Sequence, residues 1–231
     1  ESTSNGWRVS VLGEGCFSWN CRDVVNVMIP DTITSIEGLV FNMGAKIEYE
    51  PPSTIILDCT EIHSTCPNPE LVRKMRASYY LMGALLGRFG KAHVALPGGC
   101  NFASRPIDQH LKAFTALGCN CEVEHGMVYC DAGSGMKGAQ IIFDIVSVGA
   151  TINAMLAACK AEGRTILQNV AKEPHVVDVA NILNMMGADI RGAGTDVIKI
   201  NGVKHLRGVE YPIIPDQIEA GTFIAAAVAT G

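Results

Sequence analysis

The sequence contains no apolar run that approaches the roughly 18 residues needed for a membrane-spanning helix. It also does not open with a basic segment followed by an apolar one, so we expect neither export nor a membrane anchor and predict a cytoplasmic location. Lysine and arginine form no cluster, and the formal net charge is −5. Because binding to a nucleic-acid backbone depends on concentrated positive charge, nucleic acid is not an expected partner, whereas small anionic ligands fit this composition.

Paired Cys-x-x-Cys motifs are also missing, although the chain has nine cysteines. An odd number without such pairs predicts reduced thiols. Cys119 and Cys121 would point to one face of a strand, which permits a metal site but favours burial. Five of the histidines share no regular spacing, so we predict no metal cluster; they are His63, His93, His125, His175 and His205. We also expect no cofactor.

The chain is large enough for one or two globular domains, with 231 residues of which 48% are hydrophobic and 18% charged. Residues 1–22 contain both tryptophans and show little helical periodicity. We therefore treat them as an atypical N-terminal segment, separate from the domain that follows. From residue 23 the chain repeats itself with a period of about 70 residues. Residues 43–47, 117–121 and 186–190 each end an amphipathic helix at a glycine and restart as a strand.

A second strand follows each of these runs, at residues 54–57, 127–130 and 197–200. A second helix belongs to the same period and opens near residues 75, 148 and 219. The pieces predict an α/β fold of repeated βαβαββ units with right-handed crossovers. We place three such repeats in residues 23–214, the first incomplete, and the start of a second, truncated domain in residues 215–231, so the chain is expected to be a fragment.

The loop at residues 96–110 connects a predicted strand to a predicted helix. Gly98 and Gly99 allow a tight turn and a close approach to a ligand, and Pro106 suits the first position of a helix. Cys100 lies five residues before Arg105, so a cationic side chain and exposed amides could favour its thiolate and bind a phosphate. The alternative is that Cys100 is a buried structural thiol.

Several motifs in this order and spacing resemble the UDP-N-acetylglucosamine enolpyruvyl transferases over residues 25–231. The matching runs are 74–78 (KMRAS), 96–100 (LPGGC), 103–106 (ASRP), 146–151 (VSVGAT), 171–174 (AKEP) and 215–223 (PDQIEAGTF). The resemblance implies two inside-out α/β barrel domains with the active site between them, and this chain supplies most of one. It also implies transfer of the enolpyruvyl group of phosphoenolpyruvate to the sugar's 3-hydroxyl, with release of phosphate, in peptidoglycan synthesis.

The resemblance assigns Cys100 as the catalytic general acid at the enolpyruvyl carbon and the target of fosfomycin. The substrate-side residues that it implies are Arg76, Arg105, Pro106, Ile107, Asp108, Gln109, Ile145, Val146, Ser147, Val148, Gly149, Glu173 and Asp216. Arginine side chains and the first amides of a helix at Ser147 suit the phosphates of both substrates. Simpler alternatives are a helix cap for Ser147, a surface carboxylate for Glu173 and a turn or cap for Asp216. His110 could face a ligand, but a packed or solvated histidine is at least as good an interpretation.

The sequence also departs from this family. Residues 11–22 contain no lysine, where members carry a Gly-Ala-Lys-Asn segment that binds phosphoenolpyruvate, and Ile145 stands where some have lysine. The expected aspartate base belongs to the second domain, so this chain alone is predicted to be inactive. The alternative function is a noncatalytic nucleotide-sugar-binding or interaction module, and the related transferase of aromatic biosynthesis is a more distant rival. The surface that would pack against a second domain is expected to be exposed and apolar in this chain, which predicts self-association.

Overall fold

The computed structural model describes residues 9–11, 24–26, 43–50, 54–74, 76–96 and 106–230. The helices are α1 (Pro69–Lys74), α2 (Tyr80–Phe89), α3 (Asp108–Ala116), α4 (Val148–Ala158), α5 (Pro174–Met185) and α6 (Gln217–Thr230), with a 3₁₀ helix at Arg76–Tyr79. The strands are β1 (Val9–Val11), β2 (Val24–Asn26), β3 (Lys46–Glu50), β4 (Thr54–Asp58), β5 (Lys91–Ala95), β6 (Asn120–Glu124), β7 (Met127–Asp131), β8 (Gln140–Ile142), β9 (Arg164–Gln168), β10 (Asp189–Arg191), β11 (Val197–Asn201) and β12 (Glu210–Tyr211).

The predicted repeat is present in these elements. The order β8, α4, β9, α5, β10, β11 gives the βαβαββ unit in one continuous stretch. Gly44, Gly118 and Gly187 all have a positive φ, at 105°, 95° and 105°. Because residues other than glycine rarely adopt this conformation, each of the three glycines allows the turn that leads into the next strand, which is β3, β6 or β10. Gly118 and Gly187 do so just after the ends of the helices α3 and α5.

The strands form three sheets, with the orders β12-β1-β2-β4-β3, β10-β11-β9-β8 and β5-β7-β6. Strand β8 runs parallel to β9, whereas β9–β11 and β11–β10 are antiparallel. Strand β7 shows how a sheet divides its two faces, since Val128 and Cys130 are buried while Tyr129 is 39% exposed. The β5-β7-β6 sheet therefore turns the apolar face of β7 towards the core.

Helix α4 forms the centre of the fold. Nearly all of its side chains are buried, which is expected of a helix that is apolar on all sides. Helix α2 packs closely against it because Gly83 and Gly87 have no side chains at the contact. A Cβ atom on Gly83 would lie 2.4 Å from the Asn153 carbonyl oxygen, and one on Gly87 would lie 2.9 Å from that of Leu156.

Two predicted helix starts are wrong by a few residues. Pro106 is not the first helical residue, since α3 begins at Asp108 with Ile107 as the N-cap. A carboxylate in the first turn is stabilised by the helix dipole, and this favours a start at Asp108. The helix expected from residue 75 begins instead at Tyr80, after the 3₁₀ helix. In that helix the Ser78 hydroxyl donates a hydrogen bond to the Val72 carbonyl, which holds the turn against α1.

The cysteines within the described ranges are free thiols. Burial of Cys119, which the sequence favours, is confirmed, and burial raises the pKa of its thiol to about 12. Cys121 is only half-buried. In the parts of the chain that the structure describes, no group of three or more histidine, cysteine or acidic side chains could hold a metal ion. No described helix is both long and apolar enough to cross a membrane.

Two fully buried threonines differ in their hydrogen bonding and make a matched pair. The Thr165 hydroxyl has no partner among the described residues, whereas the Thr151 hydroxyl donates to the Ser147 carbonyl and accepts from the Ala171 amide. We expect Thr165→Val to raise the free energy of unfolding by about 1 kcal/mol, since it removes an unpaired polar group. Thr151→Val is expected to lower it by about 1–3 kcal/mol because it leaves the Ala171 amide unpaired. Urea denaturation of both variants checks the two signs.

Candidate functional site

The start of α3 and the loop before α4 are held together by Gln109. Its amide nitrogen donates to the Asp144 carboxylate at 3.0 Å, and its amide oxygen accepts from the Asp144 backbone amide at 2.9 Å. Lys112 adds an ion pair to Asp144 at 2.6 Å. The hydrogen bonds from Lys112 and Gln109 hold the pKa of Asp144 below its usual range, so this carboxyl stays ionised. These contacts bring two predicted substrate-binding segments side by side, residues 106–109 and 145–149.

Helix α4 begins within this pair of segments. The Ser147 hydroxyl accepts a hydrogen bond from the Ala150 amide at 3.3 Å and so caps the helix. The helix-cap role considered for Ser147 is therefore confirmed. The first amides of a helix lack intrahelical acceptors and carry a positive partial charge, so the turn at Ser147–Gly149 is suited to an anion. Ile145 and Val146, just before it, are each 56% exposed.

A cleft of ≈ 770 Å³ lies next to the start of α4. Three of the predicted substrate-side residues, Val148, Glu173 and Asp216, line this cleft. The carboxylate oxygen Oε2 of Glu173 is buried and has no hydrogen-bond partner among the described residues. A buried acceptor without a partner is costly. This arrangement does not match the interpretation of Glu173 as a simple surface carboxylate.

The far wall of the cleft is made by α5 and the segment before α6. The Tyr211 hydroxyl donates to the Asp178 carboxylate at 2.6 Å, which ties β12 to α5. Burial, together with this hydrogen bond, raises the pKa of Tyr211 to about 12. The phenol therefore stays protonated at neutral pH and keeps this wall in place. His175 and Gln217 lie 3.5 Å apart across the same wall.

His110 is packed, not directed to solvent. It is 6% exposed, its Nδ1 lies 2.9 Å from the Asn153 amide nitrogen, and the Tyr79 ring meets it edge-on at 5.4 Å. Burial lowers the pKa of His110 from its ordinary value of 6.5 to about 4, against the opposing charge of Asp108. Of the two interpretations considered from the sequence, the packed histidine is confirmed.

This burial predicts a pH dependence of stability. Between pH 6.5 and about 4 the unfolded chain binds a proton at His110 that the folded chain excludes. Lowering the pH through this window should reduce the free energy of unfolding, by an amount on the order of 2 kcal/mol, and raising it should restore the loss. Urea denaturation from pH 7 to 4 should show a flatter dependence in His110→Gln, whose amide oxygen can still accept from Asn153. The exposed His205→Gln is the control and should keep the wild-type slope; equal slopes in all three proteins would contradict the assignment.

The structure brings together some predicted residues and leaves others outside its description. Cys100 and Arg105 lie outside the described residues, and only the backbone of Arg76 is described, within the 3₁₀ helix. Pro106 to Gln109 adjoin residues 144–147, and Val148, Glu173 and Asp216 share the cleft. Asn153 and Tyr79 were missed by the sequence analysis. The signal for Asn153 was an amide within an otherwise apolar helix.

The described residues thus define an α/β protein of repeated units, with a cleft beside the start of its central helix. The family model described as EPSP synthase (3-phosphoshikimate 1-carboxyvinyltransferase) matches residues 23–231, and the chain belongs to this family. The predicted fold class and the predicted resemblance to enolpyruvyl transferases are both confirmed.

Curated relatives with high identity to this chain carry the name of one enzyme. The chain is 58% identical over 201 residues to a UDP-N-acetylglucosamine 1-carboxyvinyltransferase of Clostridium botulinum, covering 87% of this chain and 48% of that protein. It is 50% identical over 211 residues to UDP-N-acetylglucosamine 1-carboxyvinyltransferase 2 of Listeria monocytogenes, covering 90% and 49%. The chain therefore spans about half the length of the curated relatives it matches.

Solved structures share the fold at lower identity. The enolpyruvyl transferase NikO from Streptomyces tendae superposes with a TM-score of 0.74 at 22% identity, covering 96% of this chain and 57% of that one. An EPSP synthase from Acinetobacter baumannii gives a TM-score of 0.60 at 16% identity, covering 86% and 50%. These similarities support the architecture, independently of substrate.

Proposed function

We propose that this chain is part of an enzyme that transfers the enolpyruvyl group of phosphoenolpyruvate to the 3-hydroxyl of UDP-N-acetylglucosamine and releases phosphate. The observation that carries the proposal is the 50–58% identity, over 201 to 211 residues of this chain, to transferases of that name. The proposed role of this chain is to bind the nucleotide sugar and to supply the loop cysteine.

The described geometry suits the charge of these substrates. The start of α4 at Ser147–Gly149 would face the diphosphate with backbone amides, and Arg76 and Arg105 would add charged donors. Pro106 to Gln109 and Ile145 to Val148 would border the nucleotide, held at their spacing by the Gln109–Asp144 hydrogen bonds. Glu173 and Asp216 would lie on the sugar side of the cleft.

In the proposed chemistry, Cys100 donates a proton to the enolpyruvyl carbon while the sugar hydroxyl adds to the neighbouring carbon. The resulting tetrahedral ketal then returns a proton from its methyl carbon to the Cys100 thiolate as phosphate leaves, which restores the carbon–carbon double bond and completes the transfer. Removal of the hydroxyl proton needs a base within hydrogen-bond reach, which we assign to the second domain of the longer relatives. The 231-residue chain is accordingly proposed to bind substrate without turnover.

The test combines binding with covalent labelling. Isothermal titration should detect UDP-N-acetylglucosamine binding to the chain, and intact-mass analysis should detect one fosfomycin adduct at Cys100. Cys100→Ser should abolish the adduct, while Cys66→Ser, at an exposed cysteine, should retain it. Absence of both binding and adduct would overturn the proposal. Binding without an adduct would fit the noncatalytic module instead.

The exposed face of α6 carries the proposal of self-association. Phe223, Ile224 and Val228 are 68%, 66% and 81% exposed. Contiguous apolar surface of this kind favours association. Light scattering should show a mass that rises with concentration, and Phe223→Glu should shift the chain to a monomer. A wild-type monomer at every concentration would contradict this. The cytoplasmic location stays a prediction.

A further inference from the structure

One buried amide connects the central helix to three other elements. Asn153, in the middle of α4, is fully buried. Its oxygen accepts from the Gly83 amide of α2 at 2.8 Å, and its nitrogen donates to the Tyr79 carbonyl at 3.1 Å. The same nitrogen lies 2.9 Å from Nδ1 of His110 in α3. The polar atoms of Asn153 are thus satisfied by residues of three different elements.

The chemistry of the amide fixes the state of the histidine. The amide nitrogen of asparagine can only donate, so Nδ1 of His110 must be the acceptor. The ring is therefore neutral and carries its proton on Nε2. Its low pKa, caused mainly by burial, agrees with this state. Asp108, which precedes His110 in the first turn of α3, is the charged group that opposes it.

The start of α4 rests on the same cluster. A Cβ atom on Gly149 would lie 2.8 Å from Cε2 of Tyr79 and 3.0 Å from Cε1 of His110. The helix start can therefore contact both rings only because residue 149 is glycine. Three segments proposed to bind substrate meet at this point: the 3₁₀ helix with Arg76, the start of α3 and the start of α4.

We propose that Asn153 is a positioning residue of the nucleotide-sugar site, which holds these three segments at fixed spacing through Tyr79 and His110. The identity of the ligand rests on the proposed function, whereas the connection between the segments does not. Asn153 touches no substrate in this proposal. It acts through the backbone of Tyr79 and the ring of His110.

Asn153→Asp separates these contacts because it preserves size and the acceptor for Gly83 but removes both donors. The control is Asn184→Asp, at a residue that does not line the cleft. The side-chain amide of Asn184 also makes two hydrogen bonds to backbone: it donates to the Ile190 carbonyl and accepts from the Ile190 amide. In Asn153→Asp we expect the His110 pKa to rise by about 2, because a carboxylate then faces Nδ1. Nitrogen-15 NMR of the imidazole measures this shift. Asn184→Asp should leave it unchanged.

Hydrogen exchange and ligand binding complete the test. Asn153→Asp should speed amide exchange in all three segments and weaken UDP-N-acetylglucosamine binding by about tenfold or more, an effect of about 1.4 kcal/mol. Asn184→Asp should change neither. A folded Asn153→Asp variant with wild-type exchange in these segments would overturn the proposal, and so would wild-type affinity in that variant.

Two further outcomes distinguish the positioning role from the proposed function. If the wild-type chain binds no nucleotide sugar, the proposed function fails, while the exchange pattern still decides the positioning role. If Asn153→Asp does not fold, the wild-type imidazole decides: a proton on Nε2 at neutral pH supports the proposal, and one on Nδ1 overturns it.

Discussion

Gly83→Ala is expected to lower the free energy of unfolding by about 3 kcal/mol. At an exposed helical position this substitution stabilises a protein by up to about 1 kcal/mol, since alanine has the higher helix propensity. In α2 the added methyl group would lie 2.4 Å from the Asn153 carbonyl oxygen and 2.7 Å from its side-chain oxygen. Both atoms belong to the rigid centre of the fold, so the steric cost exceeds the gain in propensity. The urea midpoint measures the net effect.

Gly221→Ala is the matched control for this prediction. Gly221 is also helical, in α6, but a Cβ atom there would meet no atom within 4 Å. We expect this variant to gain helicity by circular dichroism and to lose no stability, because only the propensity difference acts. If Gly83→Ala were as stable as the wild type, the close packing of α2 on α4 would be wrong.

The repeated units were predictable because their signals are local. A glycine that stops a helix needs only its own backbone conformation, and Gly44, Gly118 and Gly187 have the positive φ that the sequence pattern implies. The second strand of each repeat was also located, at residues 54–58, 127–131 and 197–201. Each extends one residue beyond its predicted end, since the neighbouring strands have partners for that residue, such as Asp131 opposite Lys91.

The candidate site was predictable only in part, because its internal contacts join distant parts of the chain. Asn153 hydrogen bonds to residues that are 70, 74 and 43 positions away, and no local pattern specifies such partners. The family resemblance located Val148, Glu173 and Asp216, which do share one cleft. It did not indicate that the Glu173 oxygen would be buried there without a partner among the described residues, since that depends on the packing of α5.

The charge at position 145 should control nucleotide-sugar affinity. Ile145 is 56% exposed and lies two residues before the Ser147 cap, so a charged replacement costs little stability and would stand near the proposed diphosphate. We expect Ile145→Lys to tighten UDP-N-acetylglucosamine binding by about tenfold and Ile145→Glu to weaken it by about tenfold, which is the effect of about 1.4 kcal/mol of charge interaction in each direction. Isothermal titration at about 0.15 M salt measures both. The difference should shrink in high salt, because the charges are solvent-exposed.

Val123 provides the control for net charge. Val123 is 46% exposed on β6, in the β5-β7-β6 sheet, whereas Ile145 lies in the loop between β8 and α4. Val123→Lys and Val123→Glu therefore change the total charge by the same amounts without placing a charge near the start of α4. Both are expected to bind within about twofold of the wild type, because screening at about 0.15 M salt removes interactions beyond about 8 Å. Equal affinities of Ile145→Lys and Ile145→Glu would mean that the diphosphate does not lie at this turn. A uniform effect at both sites would mean that affinity follows net charge alone, and the placement of the nucleotide between α3 and α4 would then be wrong.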